Sequence, residues 1–112
     1  MITEWQERRG QPFLSADYLP THGLVVEDVA CGFLYCTDSV IGMIDLFITN
    51  PEASTIARAK ALDLILKNLI IWSKDLGLRR LIATCQLKGT RNLALKNNFE
   101  NIGEYSFLSR EL

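Results

Sequence analysis

The sequence is poor in the residues from which metal centres and nucleophilic sites are usually built. It holds a single histidine, His22, and three cysteines, Cys31, Cys36 and Cys85, none in a C-x-x-C spacing. With so few ligand types no metal cluster is expected, and no Ser-His-Asp spacing is present either. Three thiols are an odd number, and they sit in apolar, strand-like contexts. This argues for reduced, packed side chains in a cytoplasmic compartment, without a disulfide. An excess of one charge is also lacking. Twelve basic and 13 acidic side chains leave a net charge of -1, so no global field draws the chain to nucleic acid or to anionic lipid. The stretch Met1 to Arg9 is too polar for a signal peptide, and a run such as Leu69 to Trp72 is far too short to span a bilayer. Glycine-rich phosphate loops, repeats and low-complexity segments are missing as well.

What the sequence does have is apolar content: 48% over 112 residues, enough for one domain with one core. The order of patterns from Met43 to Cys85 organises it. A strand-like run, Met43 to Thr49, is followed by the turn Asn50-Pro51, a long helix and a second strand-like run, Leu78 to Cys85. Strand, crossover helix and strand in that order place the two strands side by side and parallel. The helix N-terminus then lies near the C-terminal edge of the first strand. That edge is where open α/β sheets bind ligands, and the unpaired N–H groups and partial positive charge there suit an anion such as a phosphate.

Upstream, Thr3 to Arg9 carries helix signals, with Thr3 as N-cap, Gln6 at the capping-box position and Gly10 with Pro12 as the stop. Gln11 to Gly23 reads as a loop, within which His22 is a surface turn residue rather than a catalytic base. Leu24 to Val29 opens a run of strands that Ala30 to Cys36 continues, with Cys31 and Cys36 on opposite faces by parity. Thr37-Asp38-Ser39 is a hairpin turn, after which Val40 to Thr49 returns antiparallel. Alternation places Met43, Asp45, Phe47 and Thr49 on one face and Ile44, Leu46 and Ile48 on the other. Asp45 is thus a lone carboxylate on a mainly apolar face. It is either a salt-bridged strand residue, or a group held at a solvent-filled opening or shifted toward neutrality, as suits a general base.

The long helix spans about Thr55 to Leu76. Leu62, Ile65, Leu69, Trp72 and Leu76 form its apolar stripe, widened by Ala61, Leu64 and Ile71, while Lys60, Asp63, Lys67 and Lys74 mark the wet side. Ser54 or Thr55 is the N-cap and Gly77 the C-terminal stop. The first turn, with Ala57, Arg58, Ala59 and Lys60, is small and basic. It either admits an anion close to the backbone or simply reflects alanine's helix propensity with two solvated charges. A polar loop, Gln86 to Gly89, follows the second strand. A short helix then runs from Thr90 or Arg91 to about Asn98, and Ile102 to Leu108 has the pattern of a last strand.

This order of elements resembles that of the GNAT-type N-acetyltransferases from about Leu24 to Leu112. Asp45-Leu46-Phe47-Ile48-Thr49-Asn50-Pro51-Glu52 is similar to the family's fourth strand and the Pro-Glu after it. Leu76-Gly77-Leu78-Arg79-Arg80-Leu81 is similar to its glycine turn into the fifth strand. Leu93 to Phe99 resembles the Leu-Tyr-x-Lys-x-Gly-Phe signature, with Ala94 in place of the tyrosine and Asn98 in place of the glycine. The coenzyme-A loop, Gln/Arg-x-x-Gly-x-Gly/Ala, falls on Ser54, Ala57 and Ala59, of which only Ala59 fits. Short GNAT-like proteins of tailed phages also resemble this text.

The resemblance implies an α+β mixed fold: a GNAT-like mixed β-sheet with a long central helix, in one domain shortened at the N-terminus. It further implies acetyl-CoA as cosubstrate and a small-molecule or protein amine as acceptor. Either a partner subunit, with a second copy of the chain as the candidate, completes the acceptor site, or there is none. Backbone of Phe47, Ile48 and Thr49 would pair with the pantetheine arm, and Ser54, Thr55, Ala57, Arg58 and Ala59 would hold the pyrophosphate. Asp45 would take the amine proton, and Tyr105 or water would serve as acid in place of the missing tyrosine. The competing reading is a GNAT-fold binding or assembly protein with a degenerate coenzyme site.

Overall fold

The computed structural model describes residues 21–85, 88–106 and 108–112, and of Asp45, Leu46 and Lys88 the backbone alone. The expected helix at residues 3 to 9 and most of the loop before Gly23 lie outside this range. Among the described residues, four strands and two helices run in the order β1 (His22–Val26), β2 (Ala30–Cys36), β3 (Ile41–Thr49), α1 (Thr55–Asp75), β4 (Arg80–Ala83) and α2 (Lys88–Lys96). The strands form one mixed sheet in the order β1-β2-β3-β4. β1, β2 and β3 are antiparallel neighbours, whereas β3 and β4 run parallel, as the crossover requires.

The first strand run is interrupted where none was expected. Val29 N–H bonds Val26 C=O at 3.0 Å, and Asp28 has φ 60, so Glu27 to Val29 is a turn rather than strand. An aspartate tolerates that left-handed backbone, which the β-branched text around it conceals. His22 also departs from its reading as a turn residue. It opens β1, its ring edge-on to Trp72 at 4.9 Å, because pairing with Leu34 carries it onto the face that α1 covers.

One core joins the sheet and the long helix. Ala30, Leu34 and Ile44 meet Ala61, Ile65, Leu66 and Leu69, all buried. At about 1.5–3 kcal/mol for each large side chain fully removed from water, this layer far outweighs a helix ion pair worth about 0.3–0.5. The expected stripe is rotated. Leu64 (55% exposed), Ile71 (57%) and Leu76 (43%) face solvent, while Leu66 and Ser73 are buried. The polarity of Ser73 hides it as a core position in the sequence. Its hydroxyl donates to Leu69 C=O at 2.6 Å and so enters the core satisfied.

Both helices end in the same way. Gly77 (φ 81) donates to Lys74 C=O and Leu78 to Ser73 C=O. Asn98 (φ 68) donates to Leu95 C=O and Phe99 to Ala94 C=O. These are paired Schellman caps, with Leu78 and Phe99 packed against the core behind the left-handed residue. Asn98 fills the glycine role, as its residue type allows. The expected last strand is absent from the described part of residues 102–108. Ile102, Tyr105 and Leu108 are exposed, and β4 is the sheet edge. Local alternation alone does not make a strand without a paired neighbour.

Asp63, expected on the wet face, ties the two helices together. Its carboxylate accepts from Lys67 Nζ at 2.6 Å and from Asn97 Nδ2 at 3.2 Å, and Asn97 also donates to Leu93 C=O. These bonds, that of Lys67 foremost, hold the Asp63 pKa below its usual 3.8. A carboxyl whose pKa is lower folded than unfolded stabilises fully above the unfolded value and loses that contribution as pH falls through the folded one. Asp63→Asn is therefore expected to be less stable than wild type at pH 7, by less than about 1 kcal/mol for so accessible a pair. Urea melts at pH 7 and pH 2.5 check it: the gap should close in acid, and a gap independent of pH would rule out the charge as its source.

Candidate functional site

The site is a corner where two parallel strands part. β3 and β4 pair from Ile41–Arg80 to Ile44–Ala83, and Thr84 N–H closes the ladder on Ile44 C=O at 3.3 Å. Beyond Ile44, β3 continues to Thr49 with β2 as its ladder partner. The parting coincides with a β-bulge. Between the pairs Leu34–Ile44 and Gly32–Phe47, β2 uses one residue, Phe33, and β3 uses two, Asp45 and Leu46. Such a two-against-one step bends a strand and re-aims the residues beyond it.

The bulge corrects the expected faces. Ile44 and Phe47, three residues apart, both lie on the α1 side. A Cβ built on Gly32 would stand 2.7 Å from Ile65 Cγ2 and 2.8 Å from the Phe47 ring, so strand, ring and helix converge there. Strict alternation places Phe47 with Met43, but the extra residue exchanges the faces after Leu46. Asp45 occupies the bulge itself. Its backbone is placed beside the parting, while its side chain lies outside the described residues.

Asn50 sets where the helix begins. Its N–H donates to Val29 C=O at 2.8 Å and its Nδ2 to Asp28 C=O at 2.8 Å, fastening it to the β1–β2 turn. Its Oδ1 accepts from Glu52 N–H at 3.0 Å and its C=O from Ala53 N–H at 3.1 Å, forming the bend that leads into α1. The Asn50-Pro51 signal marks the turn in the sequence, but nothing local shows that Asn50 reaches back across 22 residues.

At the helix start, Ser54 is the N-cap and its Oγ accepts from Ala57 N–H at 3.0 Å. Arg58 N–H donates to Ser54 C=O at 3.0 Å. The donors of Ala57 and Arg58 are thus taken, contrary to a corner with every N–H from Thr55 to Ala59 open. Among the described residues, those of Thr55 and Ile56 have no partner, as expected for the first positions of a capped helix. The Arg58 guanidinium folds back, Nη2 lying 3.4 Å from Thr55 Oγ1, and no acidic residue occupies the first turn. Two free N–H groups, a helix dipole and one guanidinium are groups that could hold a small anion. Ala59 is exposed beside it, and Ile48 and Thr49 end the strand that leads to it.

Tyr105 does not join them. It is 81% exposed, with its hydroxyl 3.5 Å from the Cβ position of Gly103. The described residues of the expected strand, 102–106 and 108, form none. Ala94, at the family's tyrosine position, is buried. His22 sits at the far end of the sheet, where β2 ends beside the start of β3, with Cys36 Sγ 3.7 Å from its Nδ1.

No family model matches the chain, and no curated relative does. Among solved structures, the chain is similar to one described as a probable acetyltransferase, with a TM-score of 0.66 and 10% identity over 99% of this chain and 87% of that one. At that identity the likeness concerns the fold. Together with the element order and the parallel β3–β4 pair, it makes the fold a GNAT-like, acetyltransferase-like mixed sheet. No helix among the described residues is long and apolar enough to cross a membrane.

Asn50 carries a specific expectation. Asn50→Ala removes both side-chain bonds, and at about 0.5–1.5 kcal/mol each it should destabilise by about 1–3 kcal/mol. Asn50→Asp keeps the acceptor for Glu52 N–H but sets a carboxylate oxygen against Asp28 C=O, so it should destabilise at least as much as Asn50→Ala. Chemical denaturation of the three proteins checks the order.

Proposed function

We propose that the chain is an acyl-CoA-dependent N-acyltransferase that moves acetyl from acetyl-CoA to the amine of a small molecule or protein. The observation that carries this reading is the corner itself: a parallel strand pair that parts at a bulge, with a basic, acid-free helix N-terminus following from the bulged strand. The pyrophosphate would meet Thr55 and Ile56 N–H and the Arg58 guanidinium, with Ala57 and Ala59 small enough to let it approach. Backbone of Phe47, Ile48 and Thr49 would pair with the pantetheine amides, which present the same donors and acceptors as a strand. Asp45, in the bulge, would accept the amine proton directly or through water, while the amine nitrogen attacks the thioester carbon and coenzyme A leaves as thiol. Tyr105 is not assigned the acid role in this scheme, and water takes it.

A second reading has its own observation. Ser54 occupies the Ala57 donor and Tyr105 stands apart, which favours a GNAT-fold binding or assembly protein that kept the core and lost the coenzyme. Calorimetric titration with coenzyme A separates the two. Micromolar to submillimolar binding supports the enzyme, and wild-type protein that ignores millimolar coenzyme A would sink that reading.

Thr55→Pro is the matched variant. Thr55 is the first helical position, where proline fits, and Ser54 (φ -65, ψ 154) already has the extended backbone a following proline demands. One free N–H and the Arg58 anchor disappear while the helix stays. Coenzyme affinity should drop about tenfold, the scale of one charge-assisted contact, with the melting temperature nearly unchanged. For Asp45→Asn the expectation is the reverse: coenzyme binding is kept, while acetyl transfer to an amine falls by about 10²-fold or more in a thiol-release assay. Full activity in that variant would return Asp45 to a structural role.

A further inference from the structure

We propose that Cys36 is a site of reversible thiol–disulfide exchange, at which its thiol, with His22 as proton acceptor, takes up half of a small disulfide such as glutathione disulfide. The site lies at the end of the sheet opposite the corner and is independent of coenzyme A. β1 begins at His22, opposite Leu34, so β2 outruns it by two residues. Among the described residues, Cys36 therefore has Gly42 of β3 as ladder partner on one side and none on the other. Strand alternation turns it to the face of Leu34, the one that α1 covers, and this brings it to His22. The two side chains meet where the packing ends. Cys36 is exposed, and its Sγ lies 3.7 Å from His22 Nδ1, within reach of a thiol hydrogen bond.

The imidazole is aimed from two sides. Its ring stands edge-on to Trp72 of α1 at 4.9 Å, and Thr21 Oγ1 lies 3.4 Å from the same Nδ1. A nucleophile, a base within reach and further groups that orient the base are the arrangement that activates a thiol. Asp38 in the hairpin turn, Lys74 and Asp75 at the end of α1 and Arg79 and Arg80 before and in β4 make no hydrogen bond or ion pair with either member of the pair among the described residues. With the ring proton on Nε2, Nδ1 takes the thiol proton and the Cys36 thiolate attacks one sulfur of the disulfide. The new S–S bond forms as the old one breaks, and the departing thiolate recovers the proton from His22 and leaves as free thiol. One disulfide is consumed and one is made, so no further oxidant enters. Neither other cysteine is placed to resolve the product. Cys31 faces the opposite side of the sheet, where burial pushes its thiol up to about 11, and Cys85 lies past the far end of the β3–β4 ladder. By strand geometry each is roughly 15 Å from Cys36, beyond the ~7 Å that a disulfide bridges. The mixed disulfide therefore persists until an external thiol removes it.

Peptide mapping by mass spectrometry, after the full chain meets glutathione disulfide at about 1 mM and about pH 7, is the test. One mixed disulfide per chain is expected, at Cys36 and removed by dithiothreitol, and Cys36→Ser should take none. The wild-type rate should exceed that of a small free thiol about tenfold at about pH 7, a comparison that needs no variant. His22→Phe keeps a ring against Trp72 but lacks the base. Its rate should fall about tenfold at about pH 7 and match the wild type at about pH 10, where thiols ionise unaided. A chain left unmodified, or modified first at Cys31 or Cys85, overturns the proposal, as does a wild-type rate no greater than that of the free thiol. A His22→Phe variant as fast as the wild type at neutral pH, or slower by the same factor at both, overturns the role of His22.

Discussion

Asn50 is the hinge pin on which the site hangs. A single side chain that donates one bond and accepts another, together with its own backbone, bonds the β1–β2 turn on one side and the bend into α1 on the other. Without those bonds the end of β3 would be held by ladder contacts to β2 alone, and the first turn of a 21-residue helix would lose its polar tether to the sheet. The core fixes the helix axis from Ala61 onward, but the first turn lies beyond that packing. The first turn of α1 therefore owes its position to polar contacts, whereas the rest of the fold owes its position to buried apolar area.

The legible parts of the sequence were those in which one local rule decided the outcome. The strand, helix and strand order fixed the parallel pair; Ser54 and Gly77 marked the helix ends; Asn98 could replace a glycine because its side chain tolerates the same backbone. The parts that misled depended on non-local partners. Leu64 and Ile71 extend the apolar pattern, yet the sheet meets only one side of the helix, and Ser73 takes a core position by bonding its own turn. Residues 102–108 alternate like a strand, but a strand exists only with a neighbour. At the site, the helix start could be placed from the text, whereas the bulge at Asp45 and Leu46 could not, because a bulge is a property of two strands in register. The GNAT-like order of elements survived these errors because it depends on connectivity rather than on faces.

The closing of the α1 N-terminus by Ser54 changes what the corner can hold. A glycine-rich loop would leave a broad concave row of donors, suited to a whole pyrophosphate. A capped helix offers two donors and depends more heavily on the Arg58 guanidinium. Any anion bound there would be held less by backbone than by a side chain, through a contact that salt screens more readily.

The extra residue of β3 can be considered as though it were removed. Without one of Asp45 and Leu46, Ile44 would still face Leu34, Phe47 would still face Gly32, and Asn50 would still reach the turn beside Val29, because the register on either side of the bulge is already regular. The core would lose none of its described contacts, and the ladder would gain an uninterrupted run. Nothing in the packing of the described side chains requires the insertion. Among the described features, what it alters is the direction in which the strand's backbone faces as it leaves β4, at a cost in pairing.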